Sequence, residues 1–209
     1  MMKTISMTWL WLRARRSPAD MFDDCSGIAA TEFAVIVPLM LVMFFGLVEF
    51  SSGVAVDRKV TIMARTMSDL VSQSKTLDDA TISNFFLAAN SIMAPYPPTP
   101  AKTTITEVYI DPAGSARAQW SKGDAPRAAG SPVTVPANLI VKDPVTHAVL
   151  ANQYLIFSEV SYLYTPTIGY VMGKAGVTLS DVAYTRPRLS PCIFYPPPPP
   201  ATQPVCPTQ

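Results

Sequence analysis

The sequence predicts an α+β protein: a long N-terminal transmembrane helix that continues into an amphipathic helix, a second helix, and a small antiparallel sheet. Three observations lead to this fold class. Residues 28–56 are almost entirely apolar, and the apolar residues of 60–93 recur at three- and four-residue steps. After residue 101 the pattern changes to β-branched and aromatic residues with a period of two. The sequence therefore places helices first and strands second.

Residues 28–56 form the predicted membrane span. The stretch from Phe33 to Val48 has no charged side chain, and the span holds only the acids Glu32 and Glu49. A helix of about 20 mostly apolar residues crosses the hydrocarbon core, and a single crossing must be helical because lipid offers the backbone no hydrogen-bond partners. An ionised group in the span costs free energy, though less near its ends. Glu32 is thus either an acid at headgroup depth, favoured by the helix dipole, or a group that a partner in the membrane recognises.

Two further residues of the span suggest contact with a partner helix. Pro38 lacks a backbone donor, so we expect a bend in the helix there. Gly46 leaves a notch that permits close approach of another helix.

Charge predicts the orientation and the division of the chain. Four basic residues precede the span: Lys3, Arg13, Arg15 and Arg16. Basic residues that flank a first span stay in the cytoplasm, which predicts an inner-membrane protein with its C-terminal part in the periplasm. An alternative for the leader is a surface-lying amphipathic segment with Trp9 and Trp11 at headgroup depth. The predicted segments are a basic cytoplasmic leader, a transmembrane helix, a periplasmic α+β head and a Pro-rich tail, at residues 1–27, 28–56, 57–190 and 191–209.

The head contains two predicted helices and four or five predicted strands. The first helix of the head follows the span directly and has apolar residues at three- and four-residue steps, the pattern of an amphipathic helix. A capping box at residues 76–79 predicts the start of the second helix. Prolines after Ala94 stop that helix. The strands are predicted at residues 102–110, 116–121, 145–150, 156–164 and 177–185.

The tail holds two cysteines and a proline run. Cys192 and Cys206 lie in the predicted periplasmic part, where disulfides persist, and are either bridged or free thiols of a loose tail. Five consecutive prolines end at Pro200, and such a run adopts extended polyproline II. The run serves either as a spacer or as a ligand for an aromatic groove.

The span and the residues after it resemble the N-terminal motif of TadE-like proteins, pseudopilin-type components of the tight-adherence (Tad/Flp) branch of type IV pili. The resemblance rests on these residues of the span: Gly27, Ala30, Glu32, Phe33, Ala34, Pro38, Gly46, Glu49 and Phe50. It continues through three later motifs, residues 57–61, 68–73 and 92–97. A long N-terminal helix leading into a small sheet is also similar to a pilin.

The resemblance implies a role in assembling an adhesive pilus, with membrane lipid, other pilins and tight-adherence platform proteins as partners. Some relatives are cut by a prepilin peptidase, which implies cleavage between Gly27 and Ile28 and leaves Glu32 at mature position five. In a bundle of subunits, Glu32 would then pair with a neighbour's free α-amino group. The acids Asp20, Asp23 and Asp24 depart from the basic leaders that are usual in this family. We assign subunit recognition in the membrane to these residues of the span: Glu32, Phe33, Pro38, Gly46 and Glu49.

Composition and motifs argue against other classes of function. The chain of 209 residues has a net charge of +1 and no basic stripe, so nucleic acid is not an expected partner. It has no phosphate loop and no Cys-x-x-Cys motif, and His147 is its single histidine. We therefore predict no enzyme, no cofactor, no metal and no small-molecule substrate, and solvated positions for Glu107, Asp111, Glu159 and Asp181. Two rivals remain: a periplasmic binding or scaffold protein outside any pilus, and a membrane-tethered enzyme that uses His147.

Overall fold

The computed structural model describes residues 27–166, 176–197 and 206–207. The predicted leader, with Trp9 and Trp11, and most of the proline run lie outside these residues. The chain divides into two compact units, Met1–Leu47 and Val48–Gln209.

Two α-helices lie in the described part of the chain. Helix α1 spans Ile28–Ser72 and continues through Pro38. The predicted span and the predicted amphipathic helix after it therefore form one continuous helix, as expected. Helix α2 spans Asp79–Ser91. The predicted capping box is wrong, because Asp78 is the N-cap: its carboxylate accepts a 2.7 Å hydrogen bond from the Thr81 N–H. Thr76 does not cap α2 because the helix does not reach back to it: Thr76 forms a β-bridge with Phe194, and the next N–H, of Leu77, donates to the Phe194 carbonyl oxygen.

The described residues form a four-stranded antiparallel sheet in the order β2-β1-β3-β4. Its strands are β1 (Ala101–Ile110), β2 (Ala116–Gly123), β3 (Gln153–Tyr164) and β4 (Val177–Thr185). These four strands and the α+β fold class confirm the prediction.

The prediction of an additional strand at residues 145–150 is wrong. The Asp143 carboxylate accepts hydrogen bonds from the N–H groups of Val145 and Thr146, which makes a local turn. Asp and Asn side chains favour such turns by bonding the backbone a few residues on. His147 follows with a φ of 56°, a left-handed conformation that a strand does not contain.

A β-bulge redirects the side chains of β2. Glu107 pairs with Trp120, but the next residue, Val108, pairs with Ala118, so Gln119 is an extra residue in β2. We expected Ala116, Ala118 and Trp120 on one face, since they alternate in sequence. The bulge separates them: Ala116 and Ala118 join one apolar cluster and Trp120 joins another.

Both faces of the sheet are covered. Helices α1 and α2 pack on one face, where α1 buries Val56, Val60, Met63, Ala64, Met67 and Val71. The irregular segment that joins β2 to β3 covers the opposite face with Val133, Val135, Leu139, Ile140 and Val149. It includes one turn of 3-10 helix, Ala137–Leu139. The prediction that both helices lie on one side of the sheet is confirmed.

Candidate functional site

The N-terminal part of α1 exposes an apolar surface that the chain itself does not cover. From Gly27 to Val48 every residue is exposed except Val37 and Gly46, which are half-buried. The helix is long and apolar enough to cross a membrane. An exposed apolar surface of this length requires lipid or another helix around it.

Glu32 lies on this exposed part of the helix. It is the fifth residue of α1, so it follows the first turn, where the helix dipole is most effective. Its neighbour Thr31 donates a 2.8 Å hydrogen bond to the Ile28 carbonyl oxygen. Since the Glu32 side chain is exposed, its carboxylate is accessible to a second molecule.

The bond between Gly27 and Ile28 lies where α1 begins. Both residues are exposed, and a Cβ atom added at Gly27 would meet no heavy atom within 4 Å in the described part of the chain. Packing among these residues therefore does not explain why position 27 is a glycine.

Glu49, the second acid of the predicted span, has a different environment. Its side chain is only 3% exposed, and it contributes to the electrostatic environment of Tyr164, the last residue of β3. Burial raises the pKa of the Tyr164 phenol, and a hydrogen bond with the Ser52 side chain opposes that shift. We expected Glu49 to be a recognition residue like Glu32, but its burial within the chain makes it a poor candidate. Glu49 instead lies near the end of β3.

Two of the later motifs meet in the structure. The Lys59 ammonium group donates hydrogen bonds to the carbonyl oxygens of Ile92 (2.8 Å) and Ala94 (2.7 Å), just after the C-terminal end of α2. A cation is favoured there because the last carbonyl groups of a helix are unpaired and the dipole is negative. Lys59, in the motif at residues 57–61, thus forms hydrogen bonds with the backbone of the motif at residues 92–97.

The motif at residues 68–73 attaches α1 to the other end of the head. Ser68 donates a hydrogen bond to the Thr185 hydroxyl at 2.7 Å, and Asp69 forms an ion pair with Arg188. The Arg188 N–H also donates to the carbonyl oxygen of Ser72, at the C-terminal end of α1. The motifs after the span therefore dock the head onto the helix.

A segment after β4, residues 186–197, closes the head; we call it the strap. The Leu77 N–H donates to the Phe194 carbonyl oxygen at 2.9 Å. The Tyr195 hydroxyl donates to the Asp79 carboxylate at 2.7 Å, and Lys122 contacts both the Tyr195 ring and Asp79. The strap thus joins the N-terminal end of α2 to the edge strand β2.

Glu107 fixes the centre of the strap. Its carboxylate accepts a 2.6 Å hydrogen bond from the Ile193 N–H, while the Trp120 indole N–H donates to the Ile193 carbonyl oxygen at 2.9 Å. We predicted that the Glu107 carboxylate is solvated. That prediction is wrong, because the Glu107 side chain is fully buried between the sheet and the strap. Burial raises the pKa of Glu107 to about 7, while the hydrogen bond from the Ile193 N–H and the nearby Trp120 indole N–H oppose that shift.

The other acids that we predicted to be solvated have local partners near the surface. Glu159 forms a half-buried ion pair with Arg127, with a shortest N–O distance of 2.6 Å. The carboxylates of Asp111 and Asp181 accept hydrogen bonds from the nearby N–H groups of Ser115 and Val182. Strand position alone did not distinguish these acids from Glu107.

The tail returns to the sheet through a disulfide between Cys192 and Cys206. Cys192 is fully buried and packs with Tyr109 and Tyr154. The Tyr154 hydroxyl donates a 2.9 Å hydrogen bond to the Pro207 carbonyl oxygen. Sequence reasoning had no signal for the strap itself, whose contacts join residues far apart in the chain.

His147 is exposed in the turn after Asp143, where its backbone N–H donates a 3.0 Å hydrogen bond to the Asp143 carbonyl oxygen. Among the described residues, no group of three His, Cys, Asp or Glu side chains is arranged to hold a metal ion.

The fold and the exposed apolar helix define the class: an α+β protein whose N-terminal helix is of the membrane-spanning type. The family model described as TadE-like protein matches residues 27–67. The match confirms the resemblance over those residues, and TadE-like proteins are a pilus-associated structural and assembly family. No curated protein matches the chain, and no solved structure matches it.

Proposed function

We propose that this protein is a minor pilin or assembly factor of a tight-adherence pilus, inserted in the inner membrane with its head in the periplasm. The observation that carries the proposal is the exposed Glu32 carboxylate, five residues after an exposed Gly27, within the residues that match the TadE-like family model. No metal or cofactor is needed for this role.

The division of α1 supports a subunit that assembles through its helix. Residues 28–48 expose apolar side chains, whereas Val56, Val60 and Met63 are fully buried against the head. One helix can thus present its first part to lipid or to neighbouring subunits while its second part supports the fold. Phe33, Pro38 and Gly46 lie on the first part.

Electrostatics give Glu32 a reason to pair. An unpaired acid within the hydrocarbon costs roughly 2.5–3.5 kcal/mol by insertion scales, and less toward the interface. Cleavage of the Gly27–Ile28 amide by a peptidase and water would leave an α-amino group on Ile28. A neighbour's amino group could then neutralise the Glu32 carboxylate, which would fix the axial register of the two subunits.

The test is Glu32→Gln, which removes the charge and keeps the shape. The matched control is Asp57→Asn, because Asp57 is exposed on the same helix just beyond the span. We expect Glu32→Gln to reduce surface pili and copurification of pilins, and Asp57→Asn to leave both near the wild-type level. Surface pili and partners that are unchanged in Glu32→Gln would contradict carboxylate-guided assembly and favour a membrane-anchored scaffold outside the pilus.

A further inference from the structure

The surface of interest is at the point where α1 passes from its exposed part to its buried part. Phe50 and Val54 are the last exposed large apolar residues before Val56, and from Val56 onward α1 is regularly buried by the head. If α1 crosses a bilayer, it leaves the hydrocarbon within this interval, since about 20 residues complete the crossing.

One end of the sheet lies beside this exit point. Tyr164 hydrogen-bonds with Ser52 and lies near Tyr96, and it pairs with Val177, the first residue of β4. Further along, Ser68 donates to the Ile156 carbonyl oxygen. Ser52 and Ser68 are about 24 Å apart along a helix, and Tyr164 and Ile156 are about 26 Å apart along a strand. The agreement means that β3 runs beside α1, with Tyr164 at the exit point and Gln153 at the far end.

The chemistry of this end is that of a membrane interface. The described stretches 94–101, 160–166 and 176–179 contain no Asp, Glu, Lys, Arg or His. Leu163 and Val177 are 45% and 40% exposed there. Tyr96, which is half-buried, adds an amphipathic ring of the kind enriched at headgroup depth, whereas Tyr162 and Tyr164 are buried within the fold. We call the surface formed by Tyr96, Leu163 and Val177 the basal surface.

We propose that the basal surface rests in the lipid headgroup layer of the bilayer that α1 crosses. Lipid is the occupant because the surface is continuous with the exit point of the span, its three residues are uncharged, and it exposes the aliphatic side chains of Leu163 and Val177 together with a half-buried tyrosine. Contact with the headgroup layer gives the head a second attachment to the membrane and restricts its tilt relative to the bilayer. The inference depends on the membrane span and not on the role in a pilus.

The experiment measures proximity to lipid headgroups in the full-length protein. Single cysteines are introduced in a Cys25→Ser background, with the Cys192–Cys206 disulfide retained, and labelled with bimane. Leu163→Cys and Val177→Cys are the test positions. The controls are Val145→Cys and Leu189→Cys, at residues that are 84% and 58% exposed.

The controls lie far from the basal surface. Val145 is in the turn that precedes Gln153, which is about 36 Å from Tyr164 along β3. Leu189 follows Arg188, which bonds Ser72, about 30 Å from Ser52 along α1. All four positions are at least 40% exposed, so cysteine is tolerated, and circular dichroism with the retained disulfide verifies folding.

The labelled proteins are reconstituted at low protein-to-lipid ratio in phosphatidylcholine vesicles, with or without a lipid that carries a nitroxide on its headgroup in both leaflets. We expect the nitroxide lipid to decrease bimane fluorescence at least twofold at Leu163→Cys and Val177→Cys. At the two control positions we expect it to decrease fluorescence by less than about 10%. Equal quenching at test and control positions would overturn the proposal. Protection from aqueous iodide without quenching by the nitroxide lipid would also overturn it, in favour of a second protein copy on this surface.

Discussion

Glu107 accepts a 2.6 Å hydrogen bond from the backbone N–H of Ile193, a residue 86 positions later in the chain. The carboxyl group is completely buried between the sheet and the strap. This contact joins the second half of β1 to the strap.

The first prediction concerns pH. The pKa of Glu107 is about 7 in the folded protein against a reference of 4.5, so the folded state holds its proton over a range in which the unfolded state has lost it. The stability from the protonated form is complete below about pH 4.5 and is lost as pH rises through 7, by at most about 3 kcal/mol. We expect the Tm of the wild type in detergent to fall between pH 5 and pH 8 by more than that of Glu107→Gln.

Glu107→Gln serves as the control in this comparison because its amide stays neutral and keeps an oxygen acceptor for the Ile193 N–H. Other titrating groups act equally in both proteins, so the difference between the two pH profiles isolates Glu107. Parallel Tm profiles in the two proteins would show that this carboxyl does not keep its proton in the folded state.

The second prediction concerns the disulfide. Cys206→Ser opens a loop with a sequence separation of 14, and the chain-entropy model gives a loss of about 3 kcal/mol in the free energy of unfolding. Denaturant unfolding of the full chain in detergent measures it. Cys25→Ser is the matched control, since it removes a cysteine outside the bridge. A stability equal to that of the control would mean that the bridge adds nothing to the packing of Cys192.

The third prediction concerns the contact between α1 and α2. Lys59→Met keeps the aliphatic stem but leaves the carbonyl oxygens of Ile92 and Ala94 without their charged donor. We expect a loss of about 1–3 kcal/mol, with earlier hydrogen exchange in the last turn of α2. Arg58→Met, at the adjacent exposed position, removes the same charge without those bonds and should change stability little. Equal losses in both variants would attribute the effect to net charge.

The fourth prediction concerns processing. Because the described residues do not require a glycine at position 27, Gly27→Leu should fold normally and yet block cleavage before Ile28. N-terminal sequencing and intact mass of protein from the native host distinguish the two forms. A wild-type protein that still begins near Met1 would remove the Ile28 amino group from the assembly proposal.

Local patterns predicted the regular elements well. The bounds of β4 follow directly from its alternating residues, and the continuity of α1 follows from an apolar period that carries on beyond the span. Turn chemistry was harder: Val145 to Leu150 has the composition of a strand, but the Asp143 side chain organises the backbone before a strand can pair.

The features that the sequence did not predict depend on contacts between distant residues. Asp78 rather than Thr76 caps α2 because residues 76 and 77 pair with Phe194 of the strap and do not join the helix. Glu107 is buried because the same strap covers it, and Trp120 reaches this site only because Gln119 is an extra residue in β2. No local period reports these arrangements, whereas Glu32 was visible as a candidate because a charge in an apolar run is conspicuous without any structure.

The position of the strap also sets an order for folding. Residues 186–197 follow both helices and all four strands of the described sheet, so the head cannot be completed until the segment after its last strand has been made. Until the strap is in place, Glu107 has no backbone amide to bind, and the N-terminal end of α2 lacks its partner Tyr195. A chain truncated before Ile193 would therefore leave both Glu107 and the Trp120 indole without their strap partners.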